Sequence, residues 1–309
     1  MLDYDSGKFI IFYKRGVERM FLQTLVTGLS IGGVYALMAV GYSLVFSILS
    51  FSNFAHGTII MLGAYIGYFL ISSLKVGFAF SLIGAVAGAA LIALLNVKFA
   101  YSPLIARKAP SLYLMITAMG VSIFLENMVY VTVGSHFYSF PEIFKQSTIK
   151  FFGCDISPLD LSALLFSLVT IYGLHLFLTR TKMGTAIRAA SYDMTVASLN
   201  GVNMQKLIGL VFILAGSFGG MAGVFLGIKY MVYPTMGWIT NKAYIAAVIG
   251  GLGSLPGAVI GGVLLGLLET FVSVYISSTV RDVFSFSLVI VFLVILPAGL
   301  LGKHLEEKV

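Results

Sequence analysis

The sequence predicts an all-α, polytopic membrane helix bundle, and three observations carry that prediction. Apolar residues make up 59% of the 309 residues. Charged residues make up only 10%, against roughly 25% in an ordinary soluble domain. The apolar residues also fall in runs long enough to cross a bilayer, and mean hydropathy is +1.01. A soluble fold has to coat its surface with polar groups, and 19 Lys and Arg with 12 Asp and Glu are too few. That excludes a disordered chain, a nucleic-acid binder with a basic face and almost any soluble enzyme of this size. The net charge of +7 reads as positive residues in cytoplasmic loops. The one cysteine, Cys154, excludes an internal disulfide and a cysteine metal site, and reads as an unpaired bystander on an outside loop. The 34 glycines suit closely packed and broken helices.

Residues 1–19 form a polar N-terminal segment, with Lys8, Lys14, Arg15 and Arg19 against Asp3, Asp5 and Glu18. The run from Met20 to about Leu49 is too long for a signal-peptide core and lacks a small-residue cleavage site, so it reads as retained membrane structure. Eight runs approach the ~20 residues a crossing helix needs: 20–41, 57–74, 77–97, 111–133, 159–178, 207–228, 257–276 and 283–301. Two shorter pieces remain, 42–53 and 243–254. The first ends in Ser52-Asn53-Phe54-Ala55-His56-Gly57 and the second in Gly250-Gly251-Leu252-Gly253-Ser254-Leu255-Pro256-Gly257, both of which break helices. Residues 20–301 thus read as one transmembrane domain and 302–309 as a cytoplasmic tail.

Charge decides whether the short pieces cross or re-enter. If both cross, ten segments result, with both termini inside. The inside then holds 13 Lys and Arg (1–19, 98–110, 179–206 and the tail) and the outside six: Lys75, Lys145, Lys150, Lys229, Lys242 and Arg281. If both re-enter, the balance is 8 inside against 11 outside. The positive-inside bias favours ten segments. The layout of a long span, a short broken piece and a Gly-rich span occurs in each half, and such paired interruptions point to a transport pathway.

No GxxxxGK[ST] loop is present; Gly299-Leu300-Leu301-Gly302-Lys303 lacks its spacing. The histidines are scattered, with no HExxH or paired carboxylates, so metal and hydrolytic catalysis have no support. Glu126 and Glu269 are charges inside apolar spans, and each has to face protein, water or a partner. Pore lining is one reading and an interhelical hydrogen bond, the favoured one, is the other. Lys75 and Lys229 read as snorkelling anchors at span ends. Asn53 and His56 read either as the lip of a helix start that would favour an anionic group, or as a cap and a packed histidine. Gly250 and Gly251 could open a path or allow close packing. In the loop 179–206, a helix over 188–201 places Met194, Ala197 and Gly201 on one face, with Gly201 as its C-cap. With Asp193 it reads as a docking element for a cytoplasmic partner, because its apolar face is too weak for an interfacial helix.

Several stretches together resemble permeases of branched-chain amino acid ABC importers. They are Gly28-Leu29-Ser30-Ile31-Gly32-Gly33-Val34-Tyr35-Ala36-Leu37, Gly41-Tyr42-Ser43-Leu44-Val45-Phe46, Asn53-Phe54-Ala55-His56-Gly57, Arg188-Ala189-Ala190, Ala197-Ser198-Leu199-Asn200-Gly201 and the segment 246–258. The similarity runs from about residue 20 to the C-terminus and is nearest to the smaller of the two paired permeases. It implies the helical fold of vitamin-type importers in a prokaryotic plasma membrane. It also implies a second homologous permease, two cytoplasmic ATPase subunits that use ATP and magnesium, and an extracytoplasmic substrate-binding protein. This chain itself would be a transport subunit, not an enzyme, and bind no cofactor. The family's docking helix follows Glu-Ala-Ala-xxx-Gly; here the last Ala (Ala197) and the Gly (Gly201) are kept and the first two positions depart. The translocation path expected is Asn53, His56, Glu126, Gly250, Gly251 and Glu269. Two alternatives stay open: a urea or short-chain amide permease, and a channel or secondary transporter working alone. Against the latter stand the absence of an Asn-Pro-Ala pair and of an acid cluster near the breaks.

Overall fold

In the computed structural model, residues 5–143, 149–151 and 154–302 are described. They form a helical membrane bundle: α1 (Asp5–Leu49), α2 (His56–Ser72), α3 (Phe78–Asn96), α4 (Ser102–Ala106), α5 (Ser111–Thr132), α6 (Pro158–Arg180), α7 (Lys182–Tyr192), α8 (Met194–Leu199), α9 (Met204–Tyr230), α10 (Thr240–Gly250), α11 (Leu255–Tyr275) and α12 (Arg281–Ile295). A π turn (Val97–Tyr101) joins α3 to α4, and a 3₁₀ turn (Pro234–Ile239) leads into α10. Two short strands, Ile149–Phe151 and Cys154–Ile156, pair antiparallel in the 133–157 connection. Among the described residues, six helices are long and apolar enough to cross a membrane, so the chain is an integral membrane protein. Residues 1–4 and 303–309 of the expected terminal segments, and the side chain of Cys154, lie outside the described residues.

The expectation of a separate short piece at 42–53 is corrected. Residues 20–49 are one uninterrupted helix, and the chain breaks only at Ser50, whose φ is +50°. The first proline in the sequence is Pro103, so nothing in this stretch removes a helical hydrogen bond. Gly41 does not interrupt the helix; it lets His56 and the Ala215 carbonyl approach α1. The second short piece is a helix of its own, α10, eleven residues long, which stops at Gly251 (φ +103°). Ser254 then caps α11, its Oγ accepting from Gly257 N at 3.2 Å, with Pro256 in the first turn.

Close backbone approach organises the core. Gly28 of α1 faces Leu267, Gly32 faces Val263 and Gly262 faces Ala36, so α1 and α11 run antiparallel along a small-residue seam. α2 lies parallel to α9, with His56 by Gly219, Ile60 by Gly223 and Ala64 by Gly227. Within its most apolar window α1 is 89% buried, whereas the windows of α5 and α6 are 22% buried. α1 is therefore the axis, and α5 and α6 leave most of their apolar surface on the outside of the bundle.

The two ends of the bundle differ. Thr27 and Ser30, early in α1, donate to Asp160 at the start of α6, and Asp160 pairs with Lys229 at the end of α9. Lys229 is thus an ion-pair partner rather than only an anchor. At the other end, Ser47 packs by Gly253, Gly251 by Gly302, and Phe51 and Asn53 by Tyr101. This end also holds the 97–110 and 181–203 connections with Lys98, Arg107, Lys108, Lys182 and Arg188. The start of the apolar part of α1 and residue 302 therefore lie at opposite ends, which the reading with both termini on one side did not anticipate. That reading counted an extra crossing at 42–53.

Candidate functional site

The chain break before α2 and the 3₁₀ turn before α10 meet in the middle of the bundle. The start of α2 abuts the 3₁₀ turn and α10, for a Cβ at Gly57 would strike Thr240 and the Gly237 carbonyl. The helix start is thereby covered. Asn53 does not cap it; its Oδ1 accepts from the Tyr101 hydroxyl at 2.9 Å, and the residue is 2% exposed. The two polar residues of the first break thus belong to the packed core, and an anion at the α2 terminus finds no opening.

His56 is 1% exposed and sits between Gly41 and Gly219. Neither ring nitrogen makes a hydrogen bond among the described residues; the Met38 carbonyl is near the ring but outside hydrogen-bond geometry. Tyr42 packs edge-on to His56 at 6.4 Å and to Tyr244 at 5.8 Å, so three rings plug the bundle at this depth.

Nearer the Lys229 end, Glu269 joins four helices. Its carboxylate accepts from Tyr35 of α1 at 2.9 Å, from Lys242 of α10 at 2.8 and 2.7 Å, and from Ser285 of α12 at 2.6 Å. Lys242 also reaches Asp282 at 3.0 Å. Arg281 Nε lies 3.5 Å from Asp282 and 3.9 Å from Glu269. Taking a carboxylate out of water costs several kcal/mol unless charge and donors replace the solvent, and Glu269 has both. Its partners Tyr35, Lys242 and Ser285 line a cavity of about 360 Å³ whose remaining walls include Tyr230, Trp238, Arg281 and Asp282. Glu269 stands just behind that wall.

The other expected residues are placed elsewhere. Glu126 sits half-buried on the peripheral α5, with no hydrogen-bond or ion-pair partner among the described residues and no contact with Glu269. Gly250 packs on the backbone of Gly257, and Gly251 on Gly299 and Gly302, so both serve close contact at the 97–110 end rather than an opening. Sequence reasoning missed Lys242, Arg281, Asp282 and Tyr35. The first two entered only as outside charges, and their positions just before apolar runs were the signal available.

The expected helix over 188–201 is split. Asp193 ends α7 and caps α8, its Oδ1 accepting from the amides of Thr195 at 2.7 Å and Val196 at 2.9 Å. An Asp with two free amides ahead of it favours a cap over a helix interior. Gly201 follows with φ +84°, as a C-cap should. Of the residues expected to dock, Ala197 is buried and Met194 half-buried, whereas Asp193 and Gly201 are exposed. Tyr192, Val196 and Leu199 project beside them, Leu199 being 83% exposed.

Comparison with known proteins agrees with this architecture. Residues 24–296 match the family described as branched-chain amino acid transport system / permease component. The chain is 36% identical over 307 residues to the Escherichia coli K12 high-affinity branched-chain amino acid transport system permease protein LivH, covering 94% of this chain and 98% of that one. It is 36% identical over 309 residues to the Pseudomonas aeruginosa permease protein BraD, with the same coverage. To a probable LivH of Methanocaldococcus jannaschii it is 27% identical over 300 residues, covering 92% and 93%. Among solved structures, PsaBC from Streptococcus pneumoniae in complex with Fab superposes with a TM-score of 0.51 over 92% of this chain and 95% of that one, at 14% identity, a likeness of fold. The chain belongs to the permease-component family of branched-chain amino acid transport systems.

Proposed function

We propose that this chain is the membrane permease subunit of an ATP-driven importer that carries branched-chain or similar small amino acids inward. The observation that carries the reading is 36% identity along nearly the whole chain to permeases named for that transport. By this reading it stands beside a second, homologous permease, with two ATPase subunits at one face and a substrate-binding protein at the other. ATP and magnesium are used by the ATPases.

The end that carries the 97–110 and 181–203 connections faces the cytoplasm. What supports this is the cluster of Lys98, Arg107, Lys108, Lys182 and Arg188 in its short connections; the balance of 13 against six does not carry over, because Lys8, Lys14, Arg15 and Arg19 then fall at the opposite end. At the opposite end Lys229, Lys242 and Arg281 are matched by Asp160, Glu269 and Asp282. The C-terminal tail is then inside, and the N-terminal segment, at the other end of α1, outside. The face of Tyr192, Val196 and Leu199 docks an ATPase. ATP-driven closure of the ATPases displaces α7 and α8, and alternate access requires that the displacement favour one of two packings of the bundle. In the arrangement seen here the His56, Tyr42 and Tyr244 rings close the middle.

The test is co-purification of the tagged chain followed by reconstitution. ATPase subunits should come down with it, and leucine uptake should need ATP and binding protein; Leu199→Asp should abolish both association and uptake. A chain that purifies alone and moves leucine without ATP would replace this reading with a secondary transporter. Uptake of urea or acetamide in place of leucine would move it to the amide permeases.

A further inference from the structure

The cavity above α10 contains a balanced set of charges that the transport of an apolar amino acid does not by itself explain. Lys242 and Arg281 contribute two positive charges; Glu269 and Asp282 contribute two negative ones. Their engagement is unequal. Glu269 is 2% exposed and saturated by Tyr35, Ser285 and Lys242. Asp282 is 61% exposed along its side chain and holds Lys242 through one oxygen, Oδ1. Arg281 is half-engaged: its Nε lies 3.5 Å from Asp282 without a direct hydrogen bond, its guanidinium lies over the Tyr230 ring at 5.8 Å, and it is 27% exposed. The most accessible poles are thus one carboxylate and one guanidinium on consecutive residues, loosely paired with each other, with the buried Glu269 behind them.

We propose that this cavity is a binding site for one zwitterionic amino acid with an apolar side chain, Asp282 receiving the α-ammonium and Arg281 the α-carboxylate. The assignment rests on the importer reading above and adds to it a place inside the permease where the solute is recognised. Charge-assisted hydrogen bonds at both poles replace water around the zwitterion, and guanidinium–carboxylate pairing suits that geometry. Trp238, Ile245 and Phe286 supply an apolar wall for the side chain. A volume near 360 Å³ falls at the small end of ligand sites, suited to a single amino acid rather than a peptide. Net neutrality keeps a lone cation or anion from being preferred, since either leaves one pole of the site unmatched. Glu269 is a positioning residue: it fixes Lys242 and Ser285, and through Lys242 the Asp282 carboxylate.

Trp238 is the only tryptophan in the chain, and it lines this cavity. The complete transporter in nanodiscs, as wild type and as Trp238→Phe, is titrated with leucine without binding protein or ATP; the difference in emission isolates Trp238. Leucine should give a saturable response. Leucinamide, which lacks the carboxylate, and N-acetylleucine, which lacks the ammonium, should bind at least tenfold more weakly. Asp282→Asn should weaken leucine at least tenfold and leave N-acetylleucine unchanged, and Asp282→Glu should restore most of the loss. Equal responses to the three compounds, or an Asp282→Asn loss shared equally by all three, would overturn the proposal. ATP-driven leucine uptake on the same preparation separates the two readings. Uptake without a Trp238 response removes the cavity site and leaves the importer. A selective zwitterion response without uptake keeps the site and removes the importer assignment.

Discussion

The chain breaks at 50–55 and at 231–239 meet at Gly57 and Thr240, yet they are built from different chemistry. The first contains no charge. Asn53 accepts from Tyr101 and the His56 amide donates to the Asn53 carbonyl, while the buried His56 ring nitrogens have no hydrogen-bond partner among the described residues, and the surroundings are rings and glycines. The second is flanked by Lys229 and Lys242, each with an acid opposite, and beside it opens the cavity. Two joints that touch therefore do not do similar work. One break is a packed joint and the other adjoins a polar chamber, so substitutions should fail in different ways on the two sides.

The largest expected effect is on the charged side. Lys242→Met removes the cation that hydrogen-bonds the buried Glu269, leaving only Arg281 at 3.9 Å, and should cost about 3–5 kcal/mol in the stability of the purified complex, read from its unfolding midpoint. Adding Glu269→Gln should recover most of that loss; no recovery would mean that Lys242 matters for packing alone. On the uncharged side, Tyr101→Phe leaves the buried Asn53 Oδ1 without the Tyr101 hydroxyl and should cost about 1–3 kcal/mol by the same assay. Added salt should leave this loss unaltered, since no ion pair is involved. A loss as large as that of Lys242→Met would erase the distinction between the two breaks.

Smaller effects sharpen the picture away from both. Asp193→Ala removes a cap with two amide donors and should cost about 1 kcal/mol, visible as faster amide exchange in α8 and as reduced coupling between ATP hydrolysis and uptake. Glu126→Gln, on a peripheral helix without partners, should change stability by no more than about 0.5 kcal/mol and leave uptake at the wild-type level. A transport defect in that variant would bring α5 into the path.

Composition and run length were enough to read the membrane bundle, because apolar runs of spanning length have few other solutions in a chain this poor in charge. The α10 break was also readable, since Gly251 and Gly253 occupy left-handed backbone that glycine permits. The division at residue 41 was misread because a glycine in a membrane helix signals close approach as often as interruption, and only the neighbour decides. Gly41 has His56 against it, thirteen Å or more of helix away from any break in its own chain by the 1.5 Å rise per residue, roughly. Glu269 was found because a carboxylate in an apolar run stands out. Its partners were not, because Lys242, Arg281 and Asp282 lie at span ends where charges are ordinary, and only the fold brings them to one place. On α8 the small residue Ala197 marks the side that packs on the body of the protein, Tyr192, Val196 and Leu199 mark the exposed side, and Gly201, itself exposed, makes the turn that ends the helix.

The joint between α6 and α7 has a mechanical consequence. Thr181 closes it from both sides, its hydroxyl donating to the Phe177 carbonyl at 2.7 Å and accepting from Gly184 N at 3.0 Å. Gly184 lies against the Leu178 backbone so closely that a Cβ there would displace it. α7 is therefore clamped to α6 like a bracket on a beam instead of hanging from it like a tether. A displacement of α7 would therefore be passed to α6, whose far end at Asp160 is held to α1 and α9 by Thr27, Ser30 and Lys229.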